Sequence, residues 1–214
     1  MTRFAIIVAS VIVVAGCKVQ DPPALEAPWA DNFDRKELGQ DYRPTDRDAY
    51  TMVDGALHAK GARNHPLWLR KKLPHDVVVE LDAWSESKAG DIKVEIFGDG
   101  ESFDPNGGGY TATGYVLIMG GWNNSKSIIA RENEHGDDVV ERTGPPVQLG
   151  HHYHWKIVRK GQTLTWFVDD MSQPFLTRHE EHEIYGDDNA YFGFNNWESS
   201  TFFDNLHIAP LPPS

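Results

Sequence analysis

From Trp29 onward the chain is built of short runs in which apolar and polar residues alternate or β-branched residues cluster, broken by Gly, Pro, Asn and Asp. No stretch repeats apolar residues at helical spacing over several turns. Strand side chains point alternately to opposite faces, so such runs predict strands half-buried against a core. Val77, Val79, Leu81 and Ala83 fall on one face of one run, and Glu80, Asp82 and Trp84 on the other. Ile92, Val94 and Ile96 repeat the pattern, while Gly114 to Met119 is apolar on both faces, as a central strand would be. Tyr50 to His58 reads as a hairpin about Asp54-Gly55, a pair that readily takes the positive φ of a two-residue turn. Further strands are predicted at Leu67 to Lys72, Lys126 to Arg131, Asp138 to Thr143, His152 to Arg159, Thr163 to Asp169, Ala190 to Asn195 and Thr201 to Ile208. About a dozen strands in one domain predict an all-β fold of two antiparallel sheets packed as a sandwich, because one open sheet of that size would curl or split.

The first residues follow another pattern. Arg3 precedes an apolar run of about a dozen residues, too short for the roughly 20 needed to span a bilayer, and small residues follow it. This is the layout of a secretory signal. Val14-Ala15-Gly16-Cys17, which contains the only cysteine, resembles the lipobox of bacterial lipoproteins. The resemblance implies a signal peptide at 1–16, cleavage before Cys17, lipidation of Cys17, and attachment to a membrane only through that lipid. Lys18, at the position where Asp would retain the protein at the inner membrane, points to the outer membrane of the cell envelope. Asp21 to Pro28 is a polar, proline-rich spacer, so 17–28 reads as anchor and linker, 29–210 as one domain and 211–214 as a tail.

The net charge is −12 with histidines neutral. Nucleic-acid phosphates need Lys and Arg, so nucleic acid is excluded as the expected partner. With Cys17 lipidated the domain has no disulfide, and its stability must come from packing. Seven Trp, seven Tyr and ten Phe supply that surface, and the same rings suit sugar-binding grooves.

Several motifs, taken in order, carry a family resemblance. They are Asn32-Phe33-Asp34 with Leu38-Gly39, Val53-Asp54-Gly55-Ala56-Leu57, Tyr153 to Arg159, Trp166-Phe167-Val168-Asp169, Tyr191-Phe192-Gly193-Phe194 and Phe203-Asp204-Asn205-Leu206. Together they resemble the concanavalin A-like lectin/glucanase jelly rolls, including the 3-keto-disaccharide hydrolase-like domains of bacterial lipoproteins. Asp169-Asp170 departs from the usual Asp-Gly. The resemblance implies a carbohydrate ligand, held on a concave face. Relatives often hold a structural calcium through an aspartate near each terminus, here Asp34 and Asp204, although two carboxylates fall short of a six-to-eight oxygen shell.

Three constellations could carry chemistry. Glu80, Asp82 and Glu86 share parity, and glycosidases of this superfamily set nucleophile and acid/base carboxylates on one strand about 5 Å apart. About 13 Å of strand separates Asp82 from Glu86, so the catalytic motif is incomplete. Glu80 and Asp82, with His154, remain the candidates for a glycoside-cleaving alternative. His151, His152 and His154, and His179 and His182, could ligate a metal given a third ligand such as Asp169 or Glu181, or simply face solvent. Trp84, Trp122, Asn123, Tyr191, Asn195 and Trp197 form the third set: flat rings beside amides, suited to the apolar faces and hydroxyl rim of a sugar. The expected function is glycan binding without catalysis, with glycoside cleavage or a protein-contact role in the envelope as alternatives.

Overall fold

A computed structural model describes residues 23–101, 112–186 and 188–212. The signal segment, Cys17, the Asp104 to Gly109 loop and the end of the tail lie outside the described residues.

The strands are β1 (Trp29–Asp31), β2 (Tyr42–Pro44), β3 (Tyr50–Val53), β4 (Ala56–Lys60), β5 (Leu67–Leu69), β6 (Val77–Ser85), β7 (Ile92–Gly98), β8 (Tyr115–Gly120), β9 (Lys126–Arg131), β10 (Val139–Thr143), β11 (Tyr153–Lys160), β12 (Thr163–Val168), β13 (Leu176–His179), β14 (Tyr191–Asn195) and β15 (Ser200–Pro210). One sheet runs β13-β12-β11-β6-β15-β4-β3, with β1 also paired to β15; the other runs β10-β9-β8-β7-β14-β5-β2. All strand pairs are antiparallel. The all-β two-sheet sandwich expected from alternation is the observed architecture.

One apolar core lies between the sheets. Val77, Val79, Leu81 and Ala83 of the eight-stranded sheet meet Ile92, Val94, Leu117, Phe192 and Phe194 of the seven-stranded sheet there. Each fully buried aliphatic or phenyl side chain contributes roughly 1.5–3 kcal/mol, and these residues are essentially without solvent exposure. The rings of Phe33, Tyr42, Phe194 and Phe203 interlock at one end. The Asp54-Gly55 turn carries positive φ at both residues, 51° and 82°, which the hairpin geometry requires.

The apolar character of β8 on both faces has a specific cause. Leu117 and Met119 enter the main core, whereas Val116 and Ile118 join Ala112, Ile128 and Ala130 in a second, smaller cluster on the outer side of the seven-stranded sheet. The β9–β10 loop returns over this outer face, since Glu134 at its middle reaches Lys93 on β7. That loop turns the outer face from a flat wall into a walled recess.

Strands β1, β2 and β13 were not foreseen. The first two are three residues long, too short to display a period. β13 ends at His179, and the following His-Glu-Glu-His stretch serves arginines. Glu180 is buried between Arg178 and Arg131, and Glu183 pairs with the buried Arg159. A carboxylate committed to guanidinium groups in this way is a structural counter-ion.

Candidate functional site

The recess on the outer face of the seven-stranded sheet holds a cavity of about 690 Å3, near the range of small-ligand sites, and its lining includes Trp122, Asn123, His135, Trp197, Asp91 and Lys93. Its floor is β7 and β8, through Lys93 and Ile118, and its walls come from the loops after β4, β6, β8, β9 and β14.

Trp122 owes its position to a single left-handed turn. Gly120, Trp122, Asn123 and Asn124 all have positive φ, between 50° and 69°. Asn and Gly enter this region readily, but a bulky side chain does so at a cost of order 1–3 kcal/mol. The turn is held by Asn124, whose side-chain amide donates to the Val147 and Lys88 carbonyls and whose oxygen accepts the Val147 N–H at 2.6 Å. The strained Trp122 is 36% exposed, and the Lys126 ammonium lies 4.4 Å from its ring centroid.

Trp197 sits across the recess and is 49% exposed. Among the described residues its ring has no aromatic or cationic partner. Its backbone N–H donates to Asp91 Oδ2 at 2.6 Å, and the Ser199 hydroxyl donates to the same oxygen at 3.3 Å. Asp91 thus fixes the loop that presents Trp197. Burial pushes the Asp91 carboxyl above its ordinary value and Glu134 pushes the same way, against the pull of Lys93 and the Trp197 N–H.

Behind this loop lies a buried polar cluster. Lys93, on the outward side of β7, is 1% exposed, and its ammonium donates to Glu134 Oε2 at 2.7 Å and Asn64 Oδ1 at 2.6 Å. Asp91 Oδ1 is 4.0 Å away. Three loops are thereby tied to one strand.

The sequence candidates divide between two faces. Trp122, Asn123 and Trp197 come together in the recess. Asn195 lies on the same outer face, paired in register with Lys93, but it is fully buried, its oxygen accepts the Asn196 N–H, and among the described residues its amide nitrogen has no partner. Tyr191 is also buried on β14, its ring against Gly100. Neither lines the cavity.

Trp84, Glu80, Asp82 and His154 lie on the opposite side of the molecule, on the outer face of the eight-stranded sheet, so the expected single groove does not form. Trp84 is stacked on both sides, on His152 at 3.9 Å and on Phe202 at 5.0 Å, and Phe202 stacks in turn on His58 at 4.3 Å. A ring covered on both faces has no face left for a sugar. Asp82 takes the His154 Nδ1 at 2.8 Å and the Asn205 amide at 2.8 Å, while Glu80 faces Lys156 and His207. These carboxylates are occupied by neighbours across the strands, as cross-strand pairs usually are.

Asp34 and Asp204 are near enough to interact: burial raises the Asp204 carboxyl, and the charges of Asp82 and Asp34 raise it further. Among the described residues, however, no group of three or more His, Cys, Asp or Glu side chains is arranged to hold a metal ion. Two carboxylates do not supply a calcium shell. The histidines take other roles: His151 faces Asp169 at 3.4 Å, His152 stacks on Trp84, and His179 meets Thr163.

Asn64, Asp91, Lys93, Glu134, His135 and Glu198 complete the recess and were not singled out from the sequence. The signal for Lys93 was present in Ile92-Lys93-Val94-Glu95-Ile96, where charges occupy the outward positions of an otherwise apolar strand; the others lie in loops and carry no such pattern.

Known structures share this architecture. The fold aligns with the carbohydrate-binding module CBM66 from Bacillus subtilis at a TM-score of 0.61, with 12% identity over 81% of this chain and 98% of that one. It aligns with a galectin-like protein of unknown function from the same organism at 0.63, with 14% identity over 87% and 96%. A prokaryotic β-1,3-1,4-glucanase (lichenase) derived from a mouse hindgut metagenome aligns at 0.60, with 9% identity over 86% and 100%. The chain therefore has the two-sheet jelly-roll sandwich fold that these structures share. No protein-family model matches the sequence, and no curated protein matches it significantly. At these identities the likeness defines the fold, and the site must speak for the activity.

Proposed function

We propose that the protein binds a glycan in the recess between Trp122 and Trp197, without chemistry of its own. The observation that carries this reading is the pair of exposed indoles, one held in a strained left-handed backbone, on opposite sides of a polar-floored cavity of about 690 Å3. Indole faces take the apolar face of a pyranose, and the Asn123 amide and Asp91 carboxylate accept or donate to its hydroxyl rim. The carbohydrate-binding module and the glucanases among the structural neighbours agree with a glycan ligand. Titration calorimetry against a panel of neutral oligosaccharides tests the reading. Saturable binding that Trp197→Ala weakens supports it, and absence of binding across the panel at millimolar concentration overturns it.

We further propose that Cys17 carries lipid and tethers the domain to the cell envelope, at the outer membrane. The lipobox-like Val14 to Cys17 and the spacer behind it support this. Metabolic labelling with an alkynyl fatty acid tests it: label retained in the Cys17→Ser variant discards the anchor.

A further inference from the structure

The charge around the recess restricts what kind of glycan fits. Asp91, Glu134 and Glu198 are its carboxylates, and Lys93 is the one ammonium in its lining, beside His135. Lys93 is fully buried and already donates to Glu134 and Asn64, so it is not free to meet an incoming anion. Arg63, outside the lining, pairs with Glu198 at 3.4 Å with both side chains exposed. Lys126, over the Trp122 ring, is paired with Glu141 at 2.7 Å, so an entering carboxylate or sulfate would meet three carboxylates and only cations that already have carboxylate partners, at a cost that rises as the site dries.

A cation meets the reverse situation. Asp91 Oδ2 is engaged by the Trp197 N–H and the Ser199 hydroxyl. Among the described residues Asp91 Oδ1 has no hydrogen-bond donor, only the Lys93 charge 4.0 Å away. On the other acid, Glu134 Oε1 has just the long contacts to Asn64 at 3.4 Å and His135 at 3.5 Å. Two carboxylate oxygens thus keep acceptor capacity beside the cavity, and buried acceptors gain most from a charged donor. The indole at Trp122 already accommodates one ammonium, that of Lys126, as indole faces do.

Resting on the glycan-binding reading, we propose that the recess is an amino-sugar site. It takes a glycan with an unacetylated amine, the ammonium against Asp91 and Glu134 and the ring against Trp197, and it rejects glycans bearing carboxylate or sulfate.

The experiment compares glucosamine oligosaccharides, their N-acetylated counterparts and oligogalacturonate of equal length, titrated into the full chain in detergent. The expected result is that the free-amine ligand binds about tenfold or more tighter than the N-acetylated one, the gain of one charge-assisted hydrogen bond, with no binding of the uronate. Asp91→Asn keeps an acceptor for the Trp197 N–H but loses the charge, and should erase the tenfold preference. Glu134→Gln should reduce it, giving a second measurement should Asp91→Asn fail to fold. Equal affinity for amine and N-acetyl ligands, or an unchanged preference in both variants, overturns the amino-sugar assignment and leaves glycan binding standing. Tighter binding of the uronate overturns it as well. No binding of any of the three overturns the amino-sugar assignment, and glycan binding falls with it only if the neutral oligosaccharide panel also fails to bind.

Discussion

Lys93 and Glu134 are 41 residues apart in sequence, yet the ammonium lies 2.7 Å from the carboxylate with 1% and 7% of the side chains exposed. This contact fastens the β9–β10 loop over the outer face of the seven-stranded sheet. Removing one partner of a buried pair leaves an uncompensated charge, at about 3–5 kcal/mol. Lys93→Met should lower unfolding stability by about that amount, and Lys93→Met with Glu134→Leu should recover most of it. A urea-unfolding double-mutant cycle checks this; a loss below about 1 kcal/mol in the single variant would show that the loop is held elsewhere.

Trp197 and Trp84 should separate binding from stability. Trp197→Ala removes a half-exposed ring and should change stability by no more than about 1 kcal/mol, while weakening glycan binding about 30-fold, the loss of roughly 2 kcal/mol of contact. Trp84→Ala opens a gap in the stack of His152, Trp84, Phe202 and His58 on the other sheet. It should cost roughly 2 kcal/mol of stability and leave affinity intact. The reverse outcome would move the site to the eight-stranded sheet.

Trp68 lies flat against two glycines of neighbouring strands. A Cβ at Gly98 would stand 2.2 Å from the indole and one at Gly193 2.9 Å. Gly98→Ala therefore forces the fully buried ring to move, an overpacking cost of about 1–3 kcal/mol. Thermal unfolding should show a lower midpoint for Gly98→Ala than for Gly193→Ala.

Acid should weaken the fold in two stages. Burial lowers His58 below its ordinary 6.5, Glu86 opposing and Lys60 adding to the effect. The unfolded chain thus binds a proton more readily, and stability falls as the pH drops through and below about 6.5. Asp31 follows lower down: burial would raise its carboxyl, but hydrogen bonds from Arg35, the Phe33 N–H and Tyr42 outweigh that and lower it from 3.8. Its contribution is present above that value and is lost on further acidification. Denaturation midpoints measured across the acid range should lose the upper step in His58→Phe and the lower step in Asp31→Asn.

How much of this could be read from sequence depended on what each feature rests on. Where a strand alternates over many residues, as from Val77 to Ser85, period and burial agree position by position, and the Asp54-Gly55 turn follows from backbone chemistry alone. β1 and β2 have three residues, too few to show a period, and lack the apolar run that marked the equally short β5 (Leu67–Leu69), so they were invisible. Trp122 and Trp197 stood out because flat rings flanked by asparagines are uncommon. Trp84 stood out because it shares the outward face of its strand with Glu80 and Asp82, and only pairing across strands reveals that its own faces are covered. Asp91 immediately precedes β7, Lys93 lies on it and Glu134 comes from the β9–β10 loop 41 residues further on, so their meeting is a product of tertiary structure. The arginines that claim Glu180 and Glu183 were likewise beyond local pattern.

The position of β15 has a consequence for synthesis. β15, the last strand among the described residues, lies between β6 and β4 and also holds β1, just as β14 joins β7 to β5 in the partner sheet. Until β14 and β15 have been synthesised neither layer can close, and the nascent polypeptide carries unpaired edges on both. A fold whose central strands are made this late exposes those edges during synthesis, and it should depend on holding chaperones more than a fold whose late strands are peripheral.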